Sequence, residues 1–273
     1  MTEPLRVISY GGGVQSTAMV VLAAQGVIDY PIALFSNVGD DSEHPATLEY
    51  VRNIAIPWAA ERGVEIHELN RIKRDGTVET LFGRLTKPGS RSVGIPVRMS
   101  NGAPGNRNCT VDFKIKVVGK WLKQHGASPD NLAQVAIGIS TDEIQRINNK
   151  QTENYQNINY PLIDLLIDRS RCEQIIAEAG LPVPPKSSCF FCPYHRPQTW
   201  REMRRDEPEL FQKSVELERH LNTVRDTIGK DRVWFTSYNK PLDEAISEAQ
   251  TPLDLWAEQE EGPDSCDSGH CFT

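Results

Sequence analysis

The chain has 273 residues, of which 38% are hydrophobic and 25% are charged, and its formal net charge is −7. This composition predicts one globular domain, or one with an appendage, and excludes collagen-like, wholly disordered and disulfide-dense small proteins. No apolar run approaches the roughly 18 residues of a membrane span, and the N-terminus does not resemble a signal peptide, so we expect a cytoplasmic protein without a membrane partner.

Strand and helix patterns alternate over the first 140 residues or so. Short apolar runs predict strands, and longer runs with helical periodicity predict helices. The predicted strands are Leu5–Ser9, Pro31–Ser36, Val64–Leu69 and Gln134–Ile139, and the predicted helices are Val14–Gln25, Pro45–Arg62 and Val111–His125. This alternation is typical of an α/β fold, with a parallel twisted sheet flanked by helices. The Gly-, Pro- and Arg-rich stretch Lys87–Asn108 is predicted to be a long functional loop.

The second half of the chain has a different pattern. Helices are predicted over Arg169–Ala179 and Thr199–Asn222, with a short strand over Val233–Ser237. We therefore predict an α/β domain at 1–165, a smaller, mostly helical appendage at 166–248 and an acidic tail at 249–273.

A glycine-rich loop follows the first predicted strand and precedes a helix. Its sequence runs from Ser9 to Thr17 and reads SYGGGVQST. Glycines let backbone N–H groups approach an anion, the helix N-terminus adds positive charge, and Ser16 and Thr17 offer hydroxyl donors. The lysine of a Walker A loop is absent, and a dinucleotide fingerprint would need glycine at Ser16 and an acid at Asn37. The alternatives are a phosphate site of another kind, a dinucleotide site and a tight turn without ligand.

Cysteines provide the second chemical motif. Cys189 and Cys192 form a CxxC turn, His195 follows it, and Cys109 is a distant partner for the same site. The donors and spacing suit zinc, an iron–sulfur cluster or a plain dithiol. Cys172 lies on a helical pattern and is predicted to be buried and inert.

Charge is distributed unevenly along the chain. Residues 71–126 contain twelve Lys or Arg against three Asp or Glu, whereas residues 241–273 contain nine acids and no base. The basic part, with Arg91, Arg98 and Arg107, is expected to contact an anionic substrate or a nucleic acid. No stacked aromatic pattern is visible, so nucleic-acid binding depends on charge alone. Cys266 and Cys271 lie in the acidic tail and are candidates for a reactive pair.

Five ordered segments over roughly residues 5–195 resemble the PP-loop ATP pyrophosphatases, in particular the PAPS reductase-like branch. The glycine loop is similar to the family's Ser-Gly-Gly-x-Asp-Ser pattern, with Gly11 and Gln15 in place of its serine and aspartate. The other four segments are LFSNVGDDSEHPATLEYV, RNCTVDFKIKVV, GISTDEIQR and YPLIDL with GLPVPP. Ser140 stands where the family has arginine, and Asn108-Cys109 stands where it has a cysteine pair.

The resemblance implies an adenine-nucleotide site that binds ATP, with Mg²⁺. Asp40 and Asp142 are the candidates for Mg²⁺ or ribose contact, and Arg107 is a candidate for catalysis. The residues implied in nucleotide binding are Ser9, Gly11, Gly12, Gly13, Gln15, Ser16, Thr17, Ser36, Asn37, Asp40 and Asp142. It also implies a [4Fe–4S] cluster on Cys109, Cys189 and Cys192, with His195 or an open iron at the fourth position, and zinc as the alternative.

The function so implied is adenylation of a substrate with release of pyrophosphate, followed by sulfur transfer from a cluster or a cysteine persulfide. Cysteine desulfurase and thioredoxin are the expected donor and reductant proteins. One alternative is a sulfonucleotide reductase that uses Cys266 or Cys271 as nucleophile. Another is a nucleotide-binding subunit without catalysis, in a modification or defence complex.

Overall fold

Five parallel strands form the centre of the protein, in the order β3-β2-β1-β4-β5. The structure, a computed structural model, describes residues 3–91, 93–147 and 153–246. The strands are β1 (Arg6–Tyr10), β2 (Ile32–Asn37), β3 (Glu65–Asn70), β4 (Ala133–Ile137) and β5 (Gln156–Asn159). The predicted α/β class with a parallel sheet is confirmed. The strand order reverses between β1 and β4, where open sheets of this kind form a crevice at the carboxyl ends of the strands.

Helices cover the sheet and continue beyond it. Those of the first half are α1 (Val14–Ala24), α2 (Pro45–Tyr50), α3 (Ile56–Ala60), α4 (Leu81–Thr86), α5 (Asn108–Thr110) and α6 (Lys116–Gln124). Two π-helical turns, Val51–Ala55 and Val111–Ile115, join α2 to α3 and α5 to α6. The later helices are α7 (Pro161–Asp164), α8 (Arg169–Glu178), α9 (Pro197–Asp206), α10 (Pro208–Thr227) and α11 (Leu242–Ala245). Within the described residues, no helix combines the length and apolarity that crossing a membrane requires.

The predicted strands of the sheet are confirmed to within two residues at each end. Strand β5 has no counterpart among the predictions, because its sequence QNIN is polar and short. The predicted strand Val233–Ser237 is wrong: Trp234 makes a single bridge to Arg98, and the segment joins no sheet. The predicted helix Thr199–Asn222 is two helices, since Pro208 begins a new helix directly after α9.

Two apolar cores matter for the site. The first packs α1 between the sheet and α8 and includes Ile8, Val21 and Ile176, all buried. The second joins α9 and α10 to earlier parts of the chain, with Trp200 and Phe235 beside Phe113. This second core includes Ile95 and Val97, so packing orders part of the long loop 87–108.

Glu218 on α10 lies buried in the second half of the chain and is expected to make stability depend on pH. Its two carboxylate oxygens accept the backbone N–H groups of Phe235, at 2.6 Å, and Leu242, at 2.8 Å. Burial raises the pKa of Glu218 from 4.5 to about 7. The folded chain therefore binds this proton more tightly than the unfolded chain, and the free energy of unfolding falls as pH rises from about 4.5 to about 7.

The expected fall due to Glu218 is on the order of 3 kcal/mol. Glu218→Gln has no carboxyl proton to lose, so its free energy of unfolding should vary less with pH in this window. Urea unfolding at several pH values measures the slope, and Glu216→Gln, at an exposed position of α10, is the control. An unchanged slope in Glu218→Gln would contradict the assignment.

Candidate functional site

The glycine loop joins β1 to α1 at the carboxyl edge of the sheet. Gly12 has φ +76°, a conformation that glycine adopts without strain. A Cβ at Gly12 would lie 3.0 Å from Val51 Cγ2 and 3.2 Å from Thr47 Cγ2, so this position also has no room for a side chain. Gly11, Gly13 and Gln15 are partly exposed, and they form the accessible edge of the loop.

The N-terminus of α1 opens toward this edge. Gly13 is the N-cap residue and has no side chain with which to cap the helix, and the first turn contains no acid. The first amide groups of a helix have no intrahelical partner and carry partial positive charge. The loop can therefore hold an anion through backbone N–H groups.

The predicted hydroxyl donors are turned into the protein. Ser16 Oγ accepts from the Gly11 N–H at 3.2 Å and lies 3.1 Å from the Gly13 carbonyl, to which it donates. The Thr17 hydroxyl is buried and lies 3.3 Å from the Tyr10 hydroxyl. Ser9 is buried within β1. The hydrogen bonds of these side chains stabilise the loop, and its accessible edge consists mostly of backbone.

Two later segments approach the loop from β4 and α8. A Cβ at Gly138 would lie 3.1 Å from Ser16 N, so glycine lets the end of β4 come close. Ser140 is fully buried, and its hydroxyl has no hydrogen-bond partner among the described residues. The predicted ligand Asp142 accepts the backbone N–H of Arg169 at 3.0 Å, at the start of α8.

Arg169 contacts the glycine loop and is not among the residues that the sequence predicts for the site. Its Nη1 donates to Gln15 Oε1 at 3.4 Å, and its Nε lies 3.3 Å from Glu173 Oε1. Asp168 caps α8 by accepting the Arg171 N–H at 2.7 Å. The sequence does contain a signal for this position: Asp168 is a typical N-cap residue that marks the start of a helix, and Arg169 follows it directly.

The segment after β2 forms a closed polar network beside the loop. Asn37 donates to Asp40 and to Glu68, both at 2.7 Å. The Arg52 guanidinium donates to both oxygens of Asp40, at 2.7 and 2.8 Å, and holds the pKa of Asp40 below its usual value. Asp40, predicted to contact Mg²⁺ or ribose, is thus engaged by an arginine. Ser36 donates to the Phe113 carbonyl at 2.6 Å.

The CxxC turn lies next to the glycine loop. A Cβ added to Gly13 would lie 2.9 Å from Ser187 Oγ, two residues before Cys189. Phe190 and Phe191 are buried in the second core, which leaves Cys189 and Cys192 partly exposed on the turn. The Cys192 N–H donates to the Cys189 carbonyl at 3.1 Å. The two buried phenylalanines therefore anchor the turn between two partly exposed cysteines.

His195 supports the turn from inside. Its Nε2 lies 3.0 Å from the Cys189 carbonyl, which can only accept, so Nε2 carries the proton. Burial, with the nearby Lys186 ammonium, holds the pKa of His195 well below its usual value. The imidazole is therefore neutral, and its Nδ1 has no hydrogen-bond partner within the part of the chain described.

The segment around Cys109 approaches the same turn. Cys109 and Cys189 both pack against the second core. The predicted catalytic residue Arg107 lies over the ring of Tyr194, 5.4 Å from its centroid, and Arg98 lies 5.9 Å from it. Cys172 is buried within the first core as predicted, and burial raises the pKa of its thiol to about 12.

The predicted metal ligands are Cys109, Cys189, Cys192 and His195. Among the described residues, no three His, Cys, Asp or Glu side chains are grouped so that they could hold a metal ion. The cluster and the zinc alternative therefore stay predictions. If Cys109, Cys189 and Cys192 hold a [4Fe–4S] cluster, we expect four iron atoms per chain, lost in Cys189→Ser, and the two cysteines of the turn are then not free thiols. Iron, sulfide and zinc analysis of anaerobically purified protein measures this, and one zinc or no metal would contradict it.

Cys266 and Cys271, the predicted reactive pair of the tail, lie outside the described residues.

Comparison with solved structures gives a structural likeness. The chain is similar to a phosphoadenylyl-sulfate (PAPS) reductase from Candida auris, solved as a phosphate complex. The two share 16% sequence identity, the similarity covers 67% of this chain and 76% of that one, and the TM-score is 0.44. No protein-family model and no curated protein matches the chain.

Proposed function

We propose that this chain binds ATP at the glycine loop, adenylates a substrate with release of pyrophosphate, and transfers sulfur to it from a persulfide on the CxxC turn. The observation that carries the proposal is the contact between Gly13 and Ser187. This contact supports the proposal because the N-terminus of α1 lies close to Ser187, two residues before the partly exposed Cys189. The crevice is also the sheet position at which nucleotides bind in open α/β folds.

The proposed phosphate site is built from backbone and one cation. The backbone amide groups at the start of α1, at the partly exposed Gly13 and Gln15, would contact the phosphates, and Arg169 is the nearby guanidinium, whereas the Gly11 N–H already donates to Ser16 Oγ. Amides and a guanidinium stabilise the charge that develops when a substrate oxygen attacks the α-phosphorus. The bond to the bridging oxygen then breaks and pyrophosphate leaves. Mg²⁺ would neutralise phosphate charge, and Asp40 is not assigned to it, because Arg52 engages both of its oxygens.

The sulfur step uses the two thiols of the turn. The terminal sulfur of a persulfide on one cysteine attacks the adenylated carbon, the carbon–oxygen bond breaks and AMP leaves. The second cysteine attacks the sulfur of the first, which releases the thiolated product and leaves a Cys189–Cys192 disulfide. A dithiol protein such as thioredoxin supplies the two electrons that reduce this disulfide, and a cysteine desulfurase supplies the next sulfur atom.

Nucleotide selection tests the first half of the proposal. The full chain is titrated with fluorescent ATP, and ATP, pyrophosphate, AMP and PAPS are added as competitors. We expect ATP and pyrophosphate to compete best, because the proposed contacts are to a phosphate chain. Preference for PAPS would favour the reductase instead. Tight ATP binding with no pyrophosphate release against any offered acceptor would favour the non-catalytic subunit.

Arg169→Gln is expected to weaken ATP binding about tenfold or more. A charged hydrogen bond to phosphate contributes roughly 1.5–3 kcal/mol, and each 1.4 kcal/mol is tenfold in affinity. The matched control is Arg171→Gln, on the same helix, whose side chain pairs with Glu178 at 2.7 Å away from the loop. Calorimetric titration with ATP measures both variants. Equal loss in the two would assign the effect to helix stability and remove Arg169 from the site.

A further inference from the structure

A leucine in a left-handed backbone conformation follows α7 on the protein surface. The Leu166 N–H donates to the Ile163 carbonyl at 3.0 Å. The Ile167 N–H donates to the Leu162 carbonyl at 2.8 Å, and the two bonds together form the Schellman motif that ends many helices. The left-handed position of this motif is usually glycine, but here it is Leu166, with φ +55°. A leucine is strained in this conformation because its Cβ crowds the backbone.

The side chain of Leu166 does little to compensate for this strain within its own chain. Leu166 is 83% exposed, and Leu165, directly before it, is 41% exposed. Asp164 and Asp168, on either side of this pair, are exposed as well. Strained residues cluster at functional sites. Leu165–Leu166 therefore forms an apolar knob with an acidic rim, placed where a binding partner can reach it.

A groove of the opposite charge lies between α6 and the segment that leads into β5. Its volume is about 460 Å³, and Ile115 and Tyr155 contribute apolar surface to it. The exposed lysines of α6 that line it are Lys116, Lys120 and Lys123. Glu153 is the one acid among the residues that line it. This lysine groove thus combines apolar surface with an excess of positive charge.

The knob and the lysine groove lie at opposite ends of one strand. Strand β5 is at the edge of the sheet that the described residues form, Tyr155 directly precedes it, and α7 and the knob follow it. The strand has four residues and is roughly 13 Å long. A two-fold axis that passes beside the middle of β5, perpendicular to the sheet, exchanges the two ends of the strand. A second copy related by this axis faces the groove with its knob, and its own groove receives the knob of the first copy.

We propose that two copies of this chain associate about this axis, with Leu165–Leu166 of each copy in the lysine groove of the other. Two features select a second copy as the partner. The knob and the groove are complementary in charge, since aspartates flank one and lysines line the other. Both also occur on the same chain, so a two-fold interface makes every contact twice. The inference does not depend on ATP binding or sulfur transfer, and its test contains no nucleotide.

Leu166→Gly is the first test, because it should change stability and association in opposite directions. Glycine adopts the left-handed conformation without strain, so we expect the Tm, measured at a protein concentration below the Kd of association, to rise by about 2 °C or more. The same change removes the knob, and we expect the Kd to rise at least tenfold, because burial of a leucine is lost at two contacts. Sedimentation velocity of the full chain over a range of concentrations measures association. Val78→Gly, at an exposed position of the turn after β3 on the opposite side of the sheet, should associate like the unmodified chain.

Charge variants test the pairing of the two surfaces. Lys120→Glu/Lys123→Glu places acids against the acidic rim, and Asp164→Lys places a base against the lysine groove. Each variant alone should associate at least tenfold more weakly than the unmodified chain, because like charges then meet at both contacts. An equal mixture of the two should associate again, since every contact then joins opposite charges. Lys213→Glu/Lys230→Glu, which changes two exposed lysines elsewhere, controls for net charge and should associate normally.

Four results would overturn the proposal. The first is sedimentation as a monomer at concentrations up to about 100 µM. The second is association that is unchanged in Leu166→Gly or that the mixture of charge variants fails to restore. The third is growth beyond a dimer, which excludes two-fold closure. The fourth is a lower Tm in Leu166→Gly, which would show that the leucine stabilises its own chain and needs no partner to explain it.

Discussion

Gly12→Ala should weaken ATP binding more than tenfold while the chain still folds. The new methyl group would be held at φ +76° and would meet the side chains of Val51 and Thr47 at 3.0 and 3.2 Å. Left-handed strain and overpacking together are expected to cost about 2–4 kcal/mol of stability. Because Val51 and Thr47 are buried, we expect the loop to relieve the contact by moving away from α2 and the following π-helical turn, which displaces the amides that would hold phosphate. We expect affinity for ATP to fall more than tenfold.

A second glycine with positive φ serves as a control, because it separates the effect of backbone strain from the effect of displacing the loop. Gly26, directly after α1, has φ +73°, and a Cβ there would meet nothing within 4 Å. Gly26→Ala should therefore cost about 1 kcal/mol and leave ATP binding unchanged. Urea unfolding and calorimetric titration measure both variants. ATP binding by Gly12→Ala equal to that of Gly26→Ala would exclude the glycine loop as the phosphate site.

Cys189→Ser/Cys192→Ser should bind ATP normally and lose persulfide loading by roughly a hundredfold, because a hydroxyl replaces the thiolate that accepts sulfur. The full chain is treated with inorganic polysulfide, which transfers one sulfur atom to a thiolate. Alkylation and peptide mass spectrometry then locate the added sulfur. The two thiols are partly exposed on a turn whose phenylalanines are buried, so the substitution should leave packing of the turn intact.

Two controls keep this result interpretable. Cys172→Ala should load like the unmodified chain, because its thiol is buried with a pKa of about 12. Cys266→Ser/Cys271→Ser tests the predicted reactive pair of the tail. Loss of loading in the tail variant, with loading retained in Cys189→Ser/Cys192→Ser, would move the sulfur carrier to the tail and refute the proposed role of the turn.

Much of the sheet could be predicted from the sequence because its inner strands are buried on both faces. Runs such as IALFS in β2 are apolar throughout and end at turn residues. Strand β5 carries no such signal, since a polar strand at the edge is selected by pairing with β4. Trp234 was predicted within a strand from its apolar neighbours, but those neighbours, Val233 and Phe235, are buried in a core between helices.

The candidate site was predictable where backbone geometry determines it. Consecutive glycines between a strand and a helix identify the loop, and two cysteines three positions apart identify the turn. Side-chain partners were not predictable, because they come from distant segments. The Asp40–Arg52 pair, the inward hydroxyl of Ser16 and the approach of Arg169 to Gln15 all depend on how the chain packs.

The second core has a consequence for where the chain can be cut. Ile95 and Val97 belong to the loop that leads to Arg98, Arg107 and Cys109, and they pack against residues contributed more than a hundred positions later. A truncation after residue 165 would remove Trp200, Phe211 and Phe235 and leave that earlier loop with only part of its packing surface. We therefore expect the loop to reach its final conformation only after α10 has been synthesised.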